Sequence, residues 1–195
     1  MSCPHLRWRV ACIAFSAAIC LARLGSSAAL ADSPPEPEGY RLSDYKAPVP
    51  ATLQGARVLT TAEAFELWKK HGATFVDVLP QAPRPANLPP QVIWRDKPRQ
   101  DIPESIWLPD TGYGELHPSM QTYFADGLRR ASRGDKSVAL VFYCLADCWQ
   151  SWNAAKRALS LGYTNVMWYP DGSTGWEADG HPVEMRIAEP RPGSE

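Results

Sequence analysis

Apolar and polar residues along this chain form two alternating patterns, which predict strands that alternate with helices. Runs of mostly apolar, β-branched or aromatic residues are typical of strands covered on both faces. Apolar residues at every third or fourth position are typical of helices that bury one face. Such alternation favours a mainly parallel α/β sheet. The five predicted strands are residues 57–59, 73–79, 105–108, 137–143 and 165–169, and the predicted helices are residues 61–71, 118–131 and 150–161.

Local signals define the ends of these helices. Thr60 or Thr61 is an N-cap candidate with Glu63 early in the helix, and Gly72 closes that helix. Pro118 fits the first turn of the second predicted helix. These signals support the boundaries that the hydrophobic pattern indicates.

Residues 1–31 resemble an export signal that is cleaved after Ala31. Arg7 and Arg9 precede an apolar run over residues 10–22, and residues 29–31 form a small-x-small site. The run is shorter than the roughly 20 residues that cross a bilayer, so we expect no stable membrane anchor; an uncleaved anchor is the alternative. An exported pair of thiols can be oxidised, because the reducing pools of the cytosol do not protect it.

The remaining chain is organised around one domain, expected over residues 57–185. Residues 32–56 are rich in proline and predict an extended arm, and residues 186–195 predict a flexible tail. A second proline-rich stretch, residues 80–103, lacks periodicity and is long for a loop in a compact domain, which favours a functional or mobile segment.

The charge balance argues against nucleic acid as a partner. The whole chain has 20 basic and 21 acidic residues. Loss of Arg7, Arg9 and Arg23 with the signal leaves 17 basic residues and a net charge of −4. Nucleic-acid binders need a basic face, so we expect none here.

Two cysteines are the main candidates for chemistry. Of the five in the chain, Cys3, Cys12 and Cys20 lie in the expected signal, which leaves Cys144 and Cys148. Cys144 ends the strand that is predicted to be central, and a helix begins a few residues later. Its sulfur is therefore expected to face unpaired N–H groups and the positive end of the helix dipole, which lower the pKa of a thiol.

Three interpretations of the pair remain open at this point. Cys144 can be a nucleophile with Cys148 as a resolving thiol, the two can form a structural disulfide, or Cys144 can be an ordinary buried cysteine. A disulfide across so short a loop contributes only about 2 kcal/mol on the chain-entropy model, which disfavours a purely structural role. The charge of Asp147 opposes thiolate formation, whereas Leu145 and Ala146 shield the loop.

Several motifs resemble those of a rhodanese domain over about residues 57–185. The motifs are Val-Phe-Tyr-Cys before a short loop, Asn-Ala-Ala-Lys-Arg-Ala-Leu in the following helix, Leu-Gly-Tyr-Thr-Asn-Val, Thr-Phe-Val-Asp-Val, Ile-Pro-Glu-Ser-Ile, and the closing Tyr-Pro-Asp-Gly-Ser-Thr-Gly-Trp. This resemblance implies a single rhodanese-like domain with a mainly parallel five-stranded sheet. It also places Cys144 at the position of the persulfide-forming nucleophile.

The run Cys-Leu-Ala-Asp-Cys-Trp resembles a narrower group, the CXXCW-motif proteins associated with PQQ-dependent catabolism, although three residues separate the cysteines here. This resemblance implies a periplasmic protein that supports alcohol oxidation. The implied partners are a PQQ-dependent dehydrogenase, cytochrome c or an associated transporter component. No cofactor is required, and a persulfide or a disulfide is the expected modification of the pair.

The anion-binding loop departs from the rhodanese pattern. Trp149 stands where such loops tend to end in arginine, and Leu79 replaces the arginine after Asp-Val. Classical thiosulfate sulfurtransfer is therefore not expected unless another cation compensates. The candidates are Arg84, Arg95, Lys156 and Arg157.

Three further features have a structural and a functional interpretation. Asp77, at a strand end, is a candidate for orienting the thiol loop. The tryptophans around the loop favour packing over an aromatic wall for a flat ligand such as a quinone. Cu(I) binding with His117 or His181 as a third ligand is not expected, because neither histidine has a regular spacing to the cysteines.

The alternative to thiol chemistry is a non-catalytic accessory protein that binds the same partners.

Overall fold

Strands and helices largely alternate along the described part of the chain, except that three strands follow one another between the first and second helices. The computed structural model describes residues 33–82, 85, 87–89, 91–93 and 97–192. The strands within these ranges are β1 (Arg57–Val58), β2 (Thr74–Asp77), β3 (Arg99–Asp101), β4 (Ile106–Trp107), β5 (Leu140–Tyr143), β6 (Val166–Trp168) and β7 (Glu184–Arg186). The helices are α1 (Thr61–Lys69), α2 (Pro118–Ala131), α3 (Trp149–Ser160) and α4 (Gly172–Ala178).

Five of the strands form a parallel sheet with β5 at its centre. The order is β1-β6-β5-β2-β4, and every neighbouring pair is parallel. The predicted five-stranded α/β architecture is therefore confirmed, and so is the central position of the strand that precedes Cys144. The carboxyl ends of parallel strands gather at one edge of a sheet, where binding and reactive groups are usually found.

The sheet buries both of its faces, and β5 shows this most clearly. Leu140 and Phe142 lie in one apolar cluster, whereas Val141 and Tyr143 lie in a second one. Alternate residues of a strand point to opposite faces, so each cluster covers one side of the sheet. The continuous apolar run in the sequence reflects this double burial.

The starts of the helices follow the predicted capping signals, whereas α1 ends at Lys69, two residues before its predicted end. Thr60 and Glu63 form a reciprocal capping box at the start of α1. Pro118 begins α2, which spans the predicted residues 118–131. α3 begins one residue earlier than predicted, at Trp149, with Cys148 as its N-cap.

Three elements are absent from the sequence prediction, namely β3, β7 and α4. Residues of the proline-rich stretch form β3, which pairs antiparallel with β7. The segment after β6 forms α4, whose Trp176 is fully buried. β3 has no apolar residue and α4 contains two glycines, so neither has a recognisable pattern; main-chain pairing and tertiary packing stabilise them instead.

The structure describes most of the predicted C-terminal tail but none of the predicted N-terminal signal. The predicted signal, residues 1–31, lies outside the described residues and stays a prediction. Of the predicted tail, Glu189 contacts the domain, because its N–H donates to Trp107 O at 2.9 Å and its carbonyl accepts from the Tyr123 hydroxyl at 2.8 Å. Among the described helices, none has the length and apolar character needed to cross a membrane.

Candidate functional site

Cys144 and Cys148 are joined by a disulfide at the carboxyl end of the central strand. Cys144 directly follows β5, and Cys148 caps α3, so the pair connects the centre of the sheet to the start of a helix. Their Cα atoms are 6.4 Å apart. Cys144 is fully buried and Cys148 is 7% exposed, so the bond lies inside the folded domain.

The three residues between the cysteines form a tight loop. The N–H of Ala146 donates to the Thr174 hydroxyl at 3.2 Å, and Leu145 packs against the core. Asp147 is exposed and has a φ of 52°, a left-handed conformation that Asp tolerates better than most residues. The side chain of Asp147, the one acidic residue of the loop, therefore faces solvent.

The start of α4 packs closely on Cys144. The Cys144 carbonyl accepts from the Ser173 N–H at 2.8 Å. Gly172 has a φ of 52°, and a Cβ on it would lie well under 3.0 Å from the Cys144 carbonyl oxygen. This position therefore requires glycine for both its backbone conformation and the close approach.

The proline-rich arm pairs directly with the thiol loop. The Tyr45 carbonyl accepts from the Trp149 N–H at 2.9 Å, and the Ala47 N–H donates to the Asp147 carbonyl at 3.1 Å. Together these bonds form an antiparallel bridge between Lys46 and Cys148. The arm therefore lies beside Cys148 through main-chain pairing.

Further hydrogen bonds fix the arm along α3 on both sides of this bridge. Asn153 donates to Arg41 O at 2.9 Å and accepts from Arg41 N at 2.9 Å. Lys156 donates to the carbonyls of Pro37 and Glu38 at 3.0 and 2.7 Å. The indoles of two helix residues bind the other end of the arm, Trp149 at Pro48 O and Trp152 at Thr52 O.

This pairing uses main-chain N–H groups that the sequence analysis expects to be free to bind an anion at the loop. The N–H of Trp149, in the first turn of α3, donates to the arm rather than to a ligand, and the N–H of Ala146 donates to Thr174. While the arm is bound, these two N–H groups, which were expected to stabilise negative sulfur, are therefore occupied. The assignment of Cys144 as nucleophile and Cys148 as resolving thiol stays a prediction.

A buried cluster of charges lies beside the loop. Arg99 forms ion pairs with Asp77 and with Asp101, the latter at 3.3 Å, and it donates to the Ser173 hydroxyl at 2.9 Å. The Tyr143 hydroxyl donates to Asp101 at 2.7 Å. Asp77 is thus connected to the Cys144 carbonyl only through Arg99 and Ser173, and its role in orienting the thiol loop stays a prediction.

The electrostatics of this cluster follow from two carboxylates that share one guanidinium. Burial raises the pKa of Asp77 well above its usual range, and the neighbouring charge of Asp101 adds to the effect. Burial disfavours the charged form of Arg99, but the two carboxylates outweigh it and raise its pKa. The pKa of Tyr143 is raised by burial and by Asp101.

Arg99 is the cation near the site that the sequence analysis missed. It lies in the proline-rich stretch, where no periodicity distinguishes it from its basic neighbours. Arg84 and Arg95 lie outside the described residues. Lys156 binds arm carbonyls, and Arg157 donates to the carbonyls of residues 111, 113 and 114, so neither lies ready to bind a donor at the loop.

The aromatic residues around the loop pack in the core. Trp149 and Trp152 contact each other edge to face at 5.5 Å between ring centroids. None of the five tryptophans considered for an aromatic wall is more than 4% exposed, which supports the packing interpretation; they are Trp107, Trp149, Trp152, Trp168 and Trp176.

The two histidines considered as copper ligands have other contacts. His117 caps α2 at Ser119, and His181 stacks on Phe65 at 3.8 Å. Among the residues that the structure describes, no three cysteine, histidine or acidic side chains are grouped in a way that could hold a metal ion.

The comparisons with known proteins found similar solved structures only. No protein-family model matches the chain, and no curated protein matches it. Similar solved structures include a protein of unknown function, a possible tyrosine phosphatase, from Rhodopseudomonas palustris (26% identity, 66% of this chain and 85% of that chain, TM-score 0.43). Others are a polysulfide-sulfur transferase homodimer from Wolinella succinogenes (16%, 68% and 80%, 0.40) and an uncharacterized protein from Saccharomyces cerevisiae (22%, 64% and 93%, 0.40).

Similarity at this level carries no argument about activity. The class of the protein rests on its own architecture, a parallel sheet whose central strand leads through a cysteine loop into a helix. These features are consistent with a rhodanese-like fold.

Proposed function

We propose that this protein performs thiol, persulfide or dithiol–disulfide chemistry at Cys144 and Cys148. Cys144 acts as the nucleophile and Cys148 as the resolving thiol. The observation that carries the proposal is the disulfide itself, which joins the two sulfurs at the carboxyl end of the central strand. A pair that forms this bond within one loop can be oxidised and reduced without a rearrangement of the sheet.

The reaction with a sulfane sulfur donor R–S–SH has two steps. The Cys144 thiolate attacks the terminal sulfur, forms a persulfide and releases R–S⁻. The Cys148 thiolate then attacks Sγ of Cys144, which forms the disulfide and expels hydrosulfide. The transferred sulfur gains two electrons and the cysteine pair loses two. With a disulfide R–S–S–R, the same two attacks release two R–S⁻.

The surroundings of the loop favour a neutral or singly charged donor over thiosulfate. Asp147 is exposed beside the loop, and Arg99 is already paired with two carboxylates. A doubly charged donor would therefore approach a negative side chain without a free arginine in the loop. This extends the expectation from the sequence that classical thiosulfate transfer is absent.

The setting of this chemistry rests on the sequence resemblance alone. We propose that the chain is exported and acts in the periplasm in support of PQQ-dependent alcohol catabolism. Its partners there are a PQQ-dependent dehydrogenase, cytochrome c or an associated transporter component. The chemistry at the cysteine pair requires no bound cofactor.

Single-turnover reactions of the reduced protein test the proposal. The donors are glutathione persulfide, inorganic polysulfide, thiosulfate and glutathione disulfide, and the products are hydrosulfide and the protein species resolved by intact mass. With the persulfide and polysulfide donors, wild type is expected to form the disulfide and Cys148→Ser to retain one extra sulfur on Cys144. With glutathione disulfide, wild type is expected to form the same disulfide and Cys148→Ser to retain a glutathione adduct on Cys144, whereas thiosulfate is expected to react least. Cys144→Ser is expected to remain unmodified. Absence of sulfur uptake and of disulfide exchange in wild type would overturn the proposal.

A second candidate function is that of a non-catalytic accessory protein for the same partners. The complete burial of Cys144 and the pairing of the arm with residues 147–149 favour it. Partner binding that survives in Cys144→Ser, together with inactivity of wild type towards every donor, would establish this alternative.

A further inference from the structure

The arm shows which kind of molecule fits beside the disulfide. Lys46 lies directly opposite Cys148, and the two hydrogen bonds of the bridge are made by the residues on either side of this pair. This is the non-hydrogen-bonded type of antiparallel pair, in which the Cα atoms lie closest together. The groove next to Cys148 is therefore filled by extended polypeptide.

The arm also has the side-chain alternation of a strand. Tyr45, Ala47 and Val49 pack against the core, whereas Lys46 and Pro48 are exposed. The bonds to the loop are made by main-chain atoms, so another extended chain can form the same two bonds whatever its side chains. Its apolar residues at alternate positions would replace those of the arm.

We infer that the disulfide of this protein is reduced by an extended polypeptide with two cysteine thiols, which pairs with Asp147–Trp149 in place of the arm. The inference rests on the proposed function, because each turnover leaves Cys144 and Cys148 oxidised and a thiol reductant must restore them. It adds the chemical class of that reductant, a protein dithiol presented in a strand-like segment.

The register of the bridge indicates which position of the partner can react with Cys148. Residues opposite each other in an antiparallel pair project their side chains on the same side. In a non-hydrogen-bonded pair the Cα atoms are about 4.5 Å apart, which lies within the roughly 4.4–6.8 Å that a disulfide spans. A cysteine that occupies the place of Lys46 can therefore bond to Cys148.

The exposure of the two cysteine residues agrees with this direction of attack. Cys148 is 7% exposed and lies next to the arm, whereas Cys144 is fully buried. The first partner thiolate attacks Sγ of Cys148, breaks the bond to Cys144 and releases Cys144 as a thiolate. The second partner thiolate attacks the partner sulfur of the mixed disulfide and releases Cys148. Two electrons pass to the cysteine pair, and the partner becomes a disulfide.

A polypeptide has an advantage over a small thiol at this site. Access to Cys148 requires displacement of the arm, which breaks the bonds at Tyr45 and Ala47. A strand-like partner restores both bonds, whereas a small thiol restores neither. Selectivity for a polypeptide therefore arises from the closed arm.

The register is tested first within the intact chain. Two variants carry Cys144→Ser and Ser at positions 3, 12 and 20; one adds Lys46→Cys and the control adds Ala47→Cys. Under mild oxidation, the first is expected to link position 46 to Cys148, mapped by peptide mass, at least about tenfold faster than the control links position 47, because the neighbouring side chain points to the other face. Equal rates would overturn the register.

The partner class is tested with synthetic peptides on the oxidised native protein. One peptide copies residues 41–50 with Ser43→Cys and Lys46→Cys, the control carries Ser43→Cys and Ala47→Cys, and glutathione is added at the same thiol concentration. The first peptide is expected to reduce the disulfide about tenfold or more faster than either, which corresponds to the net value of one or two hydrogen bonds. Equal rates for all three would overturn the inference and leave the proposed function standing. Reduction by no thiol in the folded protein would overturn both.

Discussion

The main-chain carbonyl of Tyr45 accepts a hydrogen bond of 2.9 Å from the N–H of Trp149, the first residue of α3. This bond joins the arm to the helix start that the sequence analysis assigned to anion stabilisation. The arm therefore closes the site and occupies one of its donors. In the proposed chemistry, access to the cysteine pair requires this contact to open.

Replacement of Ala47 by proline tests this closure. Ala47→Pro removes the N–H that donates to Asp147, one of the two bonds of the bridge. One such bond contributes about 1 kcal/mol, so we expect the open population to rise about fivefold. The rate at which dithiothreitol reduces the disulfide should rise by the same factor, with the melting temperature nearly unchanged. The control is Ala51→Pro, further along the arm, and equal rates in both variants would contradict the prediction.

Gly172 tests the fit between α4 and the thiol loop. Gly172→Ala introduces a Cβ against the Cys144 carbonyl at a φ of 52°, whereas Gly134→Ala introduces one at a φ of 82° with open space around it. The control should lose about 1 kcal/mol of unfolding free energy from backbone strain alone. Gly172→Ala should lose about 3 kcal/mol or more, because steric overlap is added. Chemical denaturation measures both, and equal losses would show that the contact is not tight.

The buried carboxylate pair predicts an unusual pH dependence. Burial and the charge of Asp101 raise the pKa of Asp77, so the stability that its protonated form contributes is lost as pH rises through that raised pKa. The stability deficit of Asp77→Asn relative to wild type should therefore shrink as pH increases above the usual Asp range.

Asp135 provides a control of opposite sign for this experiment. Hydrogen bonds from the side chain and the N–H of Ser137 lower its pKa, so its contribution is present above the usual Asp range and is lost as pH falls. The deficit of Asp135→Asn should grow as pH rises through the acidic range. Urea denaturation between pH 3 and pH 8 separates the two trends, and a parallel response would refute the assignment for Asp77.

Asp147 should restrain the reactivity of the reduced pair. Its exposed carboxylate lies next to Cys148 in the chain and opposes the formation of thiolate there. Asp147→Asn should lower the apparent pKa of the thiols and increase alkylation by iodoacetamide near neutral pH. Asp44→Asn is a matched control on the arm, since Asp44 is also exposed and has a φ of 47°. An unchanged pH profile in Asp147→Asn would show that this charge has no such role.

The main sheet was predictable because its strands are buried on both faces. Val141 and Tyr143 face one apolar cluster while Leu140 and Phe142 face the other, which produces the continuous apolar run that the prediction used. The position of Cys144 at the carboxyl end followed from that strand. The order of elements along the chain then defined the α/β architecture.

The cover over the site and its neighbouring charges were not predictable from these patterns. Tyr45 and Trp149 are more than 100 positions apart and meet through main-chain atoms, which leave no signal in side-chain periodicity. Arg99 lies in a three-residue strand without apolar residues, and its role appears only when β3 pairs with β7. Short elements of this kind depend on tertiary contacts, which a single sequence does not display.

Redox titration of the folded protein distinguishes a redox-active cysteine pair from a structural disulfide. The protein is equilibrated in thiol–disulfide buffers of stepped potential, quenched with acid, alkylated and analysed by intact mass, with unfolding followed in parallel. We expect reversible two-electron conversion of the Cys144–Cys148 disulfide at a potential above about −300 mV, in the range of catalytic pairs. A disulfide that stays oxidised far below that potential, or that opens only when the domain unfolds, would contradict it and indicate a structural bond.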